Sequence, residues 1–113
     1  MWIMIAGPYA SGAKTDADRL SNLHELNRAA IEVFRKGHLP IIGVNMALPM
    51  IEVAGVDSYS KIMMPVSLGL SERCDAILRI GGISEGADKE VAEFQRRGLV
   101  SYRHVDEIPT AIT

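Results

Sequence analysis

The sequence has the length and composition of one small folded domain. Its 113 residues fall within the usual size range of a single domain, which argues against a two-domain enzyme with its own cofactor module. Hydrophobic residues make up 48% of the chain and charged residues 23%, which argues against an intrinsically disordered protein. We therefore expect a single domain that spans residues 1–113.

Charge and cysteine content limit the partners and the compartment. The 12 basic and 14 acidic residues give a formal net charge of -2, and no basic run is longer than a pair, so we expect no binding to a nucleic-acid polymer. The single cysteine, Cys74, cannot form an internal disulfide. Gly7-Pro8 cuts the first apolar run too early for a signal peptide or a membrane span. These features favour a cytoplasmic protein without a membrane partner.

The first half of the chain predicts a strand, a long helix and a second strand. An apolar run over residues 2–6 stops at Gly7, which is typical of a buried parallel strand followed by a loop. Residues 17–36 carry apolar side chains at helical spacing, and Gly37 ends that period. The run over residues 39–44 is again apolar and rich in β-branched residues, so it predicts a strand directly after the helix.

The second half continues this alternation after an irregular segment. Residues 45–56 combine turn signals with no period, and we predict an extended loop across the top of the sheet. Helix-compatible apolar positions over residues 58–74 predict a helix that Pro65 either begins or kinks. The same kinds of pattern predict the remaining elements: a strand over 75–80, a helix over 84–98 and a strand over 99–105.

This order of elements predicts an α/β fold. We expect a small flavodoxin-like, or Rossmann-like, three-layer sandwich whose mostly parallel sheet has about four strands. Ligands of such sheets bind at the carboxyl ends of the strands, where the strand order reverses. The glycine-rich segments 7–12 and 81–86 follow the first and third strands, and each leads to a helix start whose free N–H groups can bind a phosphate. Alternatively, the glycines only permit tight turns. Neither segment matches a P-loop or a dinucleotide fingerprint, and we expect no cofactor.

Glu90 is the ionisable residue that the helical pattern singles out. By the helical period it lies within about 60° of the apolar stripe formed by Ala87, Val91 and Phe94. A carboxylate at the edge of a buried stripe can be partly desolvated and directed at a ligand. The alternative is a border glutamate paired with a lysine or arginine.

Histidines and methionines are better explained by packing than by a cofactor. Three histidines, His24, His38 and His104, are spread over different elements, so we expect no metal site. Four methionines surround the predicted loop and the helix after it, and they favour a core or a subunit contact: Met46, Met50, Met63 and Met64.

Several of these segments together resemble a known family. They are Ile5-Ala6-Gly7-Pro8-Tyr9, Gly37-His38, Cys74-Asp75-Ala76-Ile77 and Ser84-Glu85-Gly86-Ala87-Asp88-Lys89-Glu90. This set resembles the nucleoside 2-deoxyribosyltransferase superfamily, including its nucleotide N-glycosidase branch and the small bacterial and phage proteins grouped with it. The resemblance covers most of the chain in element order, and its most specific part is a Ser-x-Gly-x-x-x-Glu arrangement after a parallel strand.

The resemblance implies a substrate, a nucleophile and a set of binding residues. Glu90 would be the catalytic nucleophile that attacks the anomeric carbon of a ribosyl or deoxyribosyl group and releases the base, as in a retaining glycosidase. Ser84 and the amides around Gly86 would hold the sugar or a 5′-phosphate, and Tyr9 would line the sugar pocket. The implied partner is a small-molecule nucleoside or nucleotide. The implied substrate-binding residues are Gly7, Pro8, Tyr9, Ser11, Ser84 and Gly86.

One departure from the family pattern leaves the activity open. The resemblance implies an aspartate about two helical turns before Asp75, and the residue eight positions earlier is Ser67, which cannot replace a carboxylate. Asp57 or Asp88 could substitute for it in space. Two hypotheses follow: an enzyme that cleaves or transfers across an N-glycosidic bond, and a nucleotide-binding module without efficient chemistry. A phosphoryl-transfer protein is a third, from fold analogy alone.

Small size and methionine content predict self-association. A domain of this length buries a smaller share of its surface than a large one does, which leaves apolar surface that oligomerisation often covers. The resemblance adds that family members commonly complete their pocket with a neighbouring subunit. We expect a homo-oligomer, a dimer or a tetramer, that docks through the methionine-rich loop and the second helix.

Overall fold

Residues 1–111 are described by a computed structural model in which four strands alternate with helices. The strands are β1 Trp2–Ala6, β2 Leu39–Ile41, β3 Ala76–Arg79 and β4 Val100–Tyr102. The helices are α1 Asp16–Arg35, α2 Gly43–Ala54, α3 Tyr59–Ser71 and α4 Glu85–Arg96. Short 3-10 turns lie at Val56–Ser58 and Val105–Glu107. None of the helices within residues 1–111 is both long and apolar enough to cross a membrane.

All four strands are parallel and lie in the order β2-β1-β3-β4. This arrangement confirms the predicted flavodoxin-like, or Rossmann-like, α/β fold. The chain moves from β1 outward to β2, then crosses back past β1 to β3 and on to β4. The reversal places the switch point between β1 and β3, whose last residues, Ala6 and Arg79, are register partners. The loops that follow these two strands therefore lie side by side.

Helices cover both faces of the sheet because the side chains of the central strands alternate. Ile3 and Ile5 of β1 share a core cluster with residues of α1, on one face. Met4 and Ala6 share another cluster with Phe94 of α4, on the opposite face. Right-handed crossovers require this change of face, because the chain reverses direction along the sheet after β2. The predicted three layers are present.

The extended loop predicted over residues 45–56 is wrong, because Gly43–Ala54 forms helix α2. The strand predicted over residues 39–44 is shortened for the same reason: Ile42 is already the N-cap of the helix. The chain thus passes from β2 into α2 with almost no connection. Helix α2 then continues through a 3-10 turn into α3.

Packing explains why α2 forms despite a proline in its interior. Pro49 has no N–H to give to the preceding turn, and its side chain is exposed. Ala47 and Ile51 lie on the other side of the helix and form a core cluster with Met63 of α3. Burial of this face outweighs the lost hydrogen bond, so α2 and α3 form a packed pair.

The other boundaries follow local hydrogen bonds. Thr15 is the N-cap of α1, and its hydroxyl accepts from the N–H of Asp18 at 3.1 Å. Pro65 lies inside α3 and does not begin it. The last strand ends at Tyr102, earlier than predicted. The Glu107 carboxylate accepts from the N–H groups of Arg103 and His104 and so turns the chain away from the sheet.

Strand β2 is an edge strand with a proline at its centre. The N–H of Leu39 donates to the carbonyl of Met1 at 2.9 Å, so the backbone of Leu39 faces β1. Because successive residues of a strand direct their backbone groups to opposite sides, the nitrogen of Pro40 faces away from the sheet. The missing N–H of this proline therefore costs the sheet no hydrogen bond.

Candidate functional site

A cavity of about 270 Å³ opens at the switch point, between the β1–α1 loop, the start of α4 and the α2–α3 pair. Six of the seven candidate residues line it: Gly7, Tyr9, Ser11, Ser84, Gly86 and Glu90. Pro8 does not, and instead lines a neighbouring open cavity of about 840 Å³. A Cβ added to Gly81 would lie 2.8 Å from Cδ of Pro8, so this proline packs directly against the other glycine-rich loop.

Glu90 is the buried acid of this cavity. The residue is only 8% exposed. Its carboxylate nevertheless makes neither an ion pair nor a side-chain hydrogen bond within residues 1–111. No fully enclosed side-chain nitrogen or oxygen in this part of the chain lacks a partner. The carboxylate oxygens of Glu90 therefore reach the cavity. The alternative of a border glutamate paired with a cation does not describe this arrangement.

Burial changes the acidity of Glu90. Loss of solvent raises its pKa from the ordinary value of 4.5 to about 7, and the positive charge of Arg79 acts in the opposite direction. A carboxyl group of this pKa exists in both protonation states near neutral pH, which suits proton transfer. It can act as a nucleophile only in the ionised state.

The start of α4 presents backbone donors to the cavity. The Ser84 hydroxyl accepts from the N–H of Ala87 at 3.2 Å, which makes Ser84 the N-cap as well as part of the cavity wall. The N–H groups of Glu85 and Gly86 precede the first intrahelical hydrogen bond of α4, and they have no partner among the described residues. Gly86 lines the cavity, so its N–H lies at the cavity wall.

The start of α1 is also capped by a side chain, but none of its residues lines the Glu90 cavity. The Asp18 carboxylate accepts from the N–H of Lys14 at 2.9 Å and of Thr15 at 3.2 Å, completing a capping box. These contacts hold the pKa of Asp18 below its ordinary value. The N–H groups of Asp16 and Ala17, the first two of α1, also have no partner among the described residues, so both helix starts keep free amides, and only the start of α4 lines the Glu90 cavity.

Glycine has separate uses in the two loops. A Cβ at Gly7 would lie 2.8 Å from the carbonyl oxygen of Ile80, so this glycine lets the two loops approach closely. Gly12 and Gly81 have φ angles of 73° and 76°, the left-handed region that glycine adopts without strain. The tight-turn alternative thus applies to these two positions and does not apply to Gly7.

Residues of α3 form a wall that sequence reasoning missed. Tyr59, Met63 and Met64 line the cavity, and burial raises the pKa of Tyr59 above its ordinary value. Ser67 is also buried and lines the same cavity. A Cβ at Gly43 would lie 1.9 Å from the Ser67 hydroxyl oxygen, so α2 and α3 meet there in close contact.

Charge in the cavity is restricted to one acid. Of the described residues that line it, Glu90 alone carries a charged side chain. Neither aspartate considered as a substitute at Ser67 contributes: Asp57 is exposed on a 3-10 turn, and Asp88 pairs with Arg79 at 3.1 Å beside a different cavity. Within a single chain, neither Asp57 nor Asp88 can therefore supply the carboxylate that is missing at Ser67. Within residues 1–111, no three His, Cys, Asp or Glu side chains are grouped to hold a metal ion.

The chain was compared with known proteins at three levels. Protein-family models, curated proteins and solved structures gave no match. Its topology alone therefore classifies it, as a small α/β domain with a four-stranded, all-parallel sheet.

Proposed function

We propose that this chain binds a nucleoside or nucleotide in the Glu90 cavity and cleaves or transfers across its N-glycosidic bond. One observation carries the proposal: a buried, unpaired carboxyl group faces an otherwise uncharged cavity at the switch point of a parallel sheet. The resemblance to the nucleoside 2-deoxyribosyltransferase superfamily supplies the type of reaction, with Glu90 at the position of the nucleophile.

The proposed reaction has two steps on one carbon. The ionised Glu90 carboxylate attacks the anomeric carbon of the sugar, and the bond from that carbon to the base nitrogen breaks with its electron pair going to the base. The base takes up a proton as it leaves. Water or a second base then attacks the same carbon and releases Glu90. The carboxylate also stabilises the positive, oxocarbenium-like transition state in a site with little competing charge.

The proposed binding roles follow from the cavity walls. Tyr9 and Tyr59 offer flat apolar surface to the sugar and base, while the Gly86 amide offers a hydrogen-bond donor. Lys14 lines the adjoining cavity, which shares Ser11 with the Glu90 cavity. A 5′-phosphate would extend toward Lys14, since no cation lines the Glu90 cavity within the described residues.

One specific observation favours the second candidate, a nucleotide-binding module without efficient chemistry. Ser67 occupies the place in the cavity where the resemblance implies an aspartate, and no second carboxylate among residues 1–111 lines the cavity. Without it, no second carboxyl group is placed to give the departing base a proton, because Glu90 is ionised in this step, and water is left as the donor. The module therefore predicts binding without release of the base.

Base release from a panel of nucleosides and 5′-monophosphates separates the two candidates. Wild type, Glu90→Gln and the matched control Glu93→Gln are incubated with each compound, and free base is measured by chromatography. The enzyme predicts a loss of about 100-fold or more in Glu90→Gln and full activity in Glu93→Gln, whose carboxylate pairs with Arg96 on the outer face. Base release that Glu90→Gln leaves unchanged would refute the nucleophile. Calorimetric binding with no base release from any compound would favour the module.

We also propose a homo-oligomer, a dimer or a tetramer, that docks through α2. Met46, Met50 and Val53 are 54%, 42% and 91% exposed on the side of α2 opposite its buried contact with α3. Met63 and Met64 belong instead to the α2–α3 core and the cavity wall. Sedimentation equilibrium should show an oligomer that Val53→Glu dissociates, and a monomeric wild type would contradict the proposal.

A further inference from the structure

Ser67 on α3 carries a buried hydroxyl group that no other described residue uses. The residue is 4% exposed and lines the Glu90 cavity. Within residues 1–111 its hydroxyl makes no hydrogen bond, and no fully enclosed side-chain oxygen there lacks a partner. The hydroxyl oxygen therefore reaches the cavity, as the carboxylate of Glu90 does. Ser71, one helical turn further along α3, is different, because its hydroxyl donates to the carbonyl of Leu68 at 2.6 Å.

Helical geometry places Ser67 beside Glu90 at the floor of the cavity. Helices α3 and α4 run in the same direction, from the carboxyl edge of the sheet to the other edge, because each leads into the start of a parallel strand. Ser67 is the last residue of α3 that lines the cavity, and Glu90 is the last of α4. The two helices meet one turn earlier, where a Cβ added to Gly86 would lie 2.9 Å from Cε of Met64. From that contact Ser67 lies about 4.5 Å further along its helix and Glu90 about 6 Å along the other, which is nearly the same depth.

The two ends of the cavity differ in chemistry, and this difference orients a nucleoside. Tyr59 comes eight residues before Ser67, which corresponds to about 12 Å along α3. Tyr9 packs against the same α2–α3 core cluster as Tyr59. The aromatic ring of Tyr59 thus lies toward the mouth, whereas the acid and the free hydroxyl lie at the floor. A base against the tyrosines and a sugar against the floor is the orientation that matches both ends.

The proposed reaction determines which sugar hydroxyl lies next to Ser67. Glu90 attacks the anomeric carbon from the face opposite to the departing base. In a β-ribonucleoside the 2′-hydroxyl projects from this same face and is attached to the neighbouring carbon. It therefore lies beside the attacking carboxylate, at the depth of Ser67. A 2′-deoxyribonucleoside has no group there and leaves the buried Ser67 hydroxyl without a partner in the complex.

We propose that Ser67 is a substrate-binding residue that forms a hydrogen bond with the 2′-hydroxyl of the sugar, so that the site selects ribosyl over 2-deoxyribosyl compounds. The inference rests on the proposed function, because attack on the anomeric carbon orients the sugar. Hydrogen bonds to this hydroxyl strengthen in the transition state of glycoside cleavage. The preference should therefore be larger in the rate of base release than in binding.

The test compares the ribonucleoside 5′-monophosphates of adenine, guanine, cytosine and uracil with their 2′-deoxy and 3′-deoxy forms. Calorimetry measures Kd, and chromatography measures base release. Wild type should bind the ribosyl compounds about 10-fold more tightly than the 2′-deoxy forms. Ser67→Ala removes one oxygen atom without crowding Gly43, and it should lose most of this preference by weakening the binding of the ribosyl compounds alone. Ser60→Ala, the same change near the start of α3 in the same cavity, is the matched control and should leave the ratio unchanged.

Several outcomes would overturn the assignment. Equal binding of the ribosyl and 2′-deoxy forms by wild type, or tighter binding of the 2′-deoxy forms, refutes it. A preference that Ser67→Ala leaves intact refutes it as well. Discrimination against the 3′-deoxy forms alone would assign the contact to the neighbouring hydroxyl. If Ser67→Ala weakens the ribosyl and 2′-deoxy compounds equally, Ser67 only supports the cavity wall, and the proposal fails.

Measuring binding and base release separates this inference from the proposed function. A ribosyl preference that depends on Ser67 but comes with no base release supports the sugar contact and refutes the cleavage. Base release at equal rates from ribosyl and 2′-deoxy compounds, unchanged in Ser67→Ala, supports the cleavage and refutes the sugar contact.

Discussion

Replacing Glu90 with glutamine should stabilise the protein at pH 8 and leave its stability at pH 4 nearly unchanged. The pKa of Glu90 is about 7 in the folded protein, against an ordinary value of 4.5. Between these pH values the unfolded chain has lost the proton and the folded protein keeps it. The free energy of unfolding therefore falls as pH rises from 4.5 to 7, because folding has to take up a proton whose concentration in solution decreases. Glutamine is neutral and of similar size, so it escapes this loss.

The size of the effect follows from the same two values. Each pKa unit corresponds to about 1.36 kcal/mol, so the interval from 4.5 to about 7 amounts to about 3 kcal/mol. Glu90 is 8% exposed, so solvent screening reduces this value little. A change of this size is a large share of the stability of a small domain, which is on the order of 5–15 kcal/mol.

Urea unfolding of wild type, Glu90→Gln and Glu93→Gln, followed by circular dichroism at pH 4, 6 and 8, measures the effect. The control residue Glu93 behaves in the opposite way, because its hydrogen bond with Arg96 holds its pKa below the ordinary value. Its stabilising contribution is present above that ordinary value and is lost as pH falls. If Glu90→Gln is no more stable than wild type at pH 8, or differs equally at all three pH values, Glu90 is not a buried acid of raised pKa.

Three further predictions concern packing, ligand charge and pH. Gly43→Ala should destabilise the protein by about 1–3 kcal/mol, because the added Cβ would lie 1.9 Å from the Ser67 hydroxyl oxygen. Gly69→Ala in α3 has open space for a Cβ and should stabilise the protein by about 0.5–1 kcal/mol; urea unfolding that gives both changes the same sign would contradict the packing. Lys14→Ala should weaken calorimetric binding of 5′-monophosphates by roughly 5-fold and leave nucleosides unaffected, and equal weakening of both would exclude a phosphate contact. The initial rate of base release should rise with pH and level off above about 7, because the nucleophile must be ionised; a rate that falls through this range would make Glu90 a general acid.

Most of the sheet could be predicted because its signals are local. The run Trp2–Ala6 is apolar, ends at glycine and forms a strand with the predicted bounds. Helix α2 was missed because Pro49 and Gly55 read as turn signals, although Pro49 lies inside the helix and Gly55 only ends it. Helical spacing of four apolar residues was the available signal: Val44, Ala47, Leu48 and Ile51. A proline penalty is local, whereas the packing that offsets it comes from α3.

The candidate site could also be predicted only in part from local sequence signals. Glu90 and the two loops could be located because each follows a strand end or lies on an amphipathic helix. The resemblance pointed to Ser67, but the wall formed by Tyr59 and Met63 could not be located, since it depends on how α2 packs against α3.

The proline at the centre of β2 makes growth of the sheet directional. Leu39 directs its N–H to β1, and Ile41 follows the same alternation. The outer edge of this three-residue strand therefore has no N–H donor at Pro40 for an added strand. An added strand, or a second chain in an aggregate, finds only acceptors there. Strand β4, Val100–Tyr102, contains no proline and keeps its outer donors. Misassembly by strand pairing should therefore start at β4, and charged substitutions that protect the protein from aggregation belong on that edge.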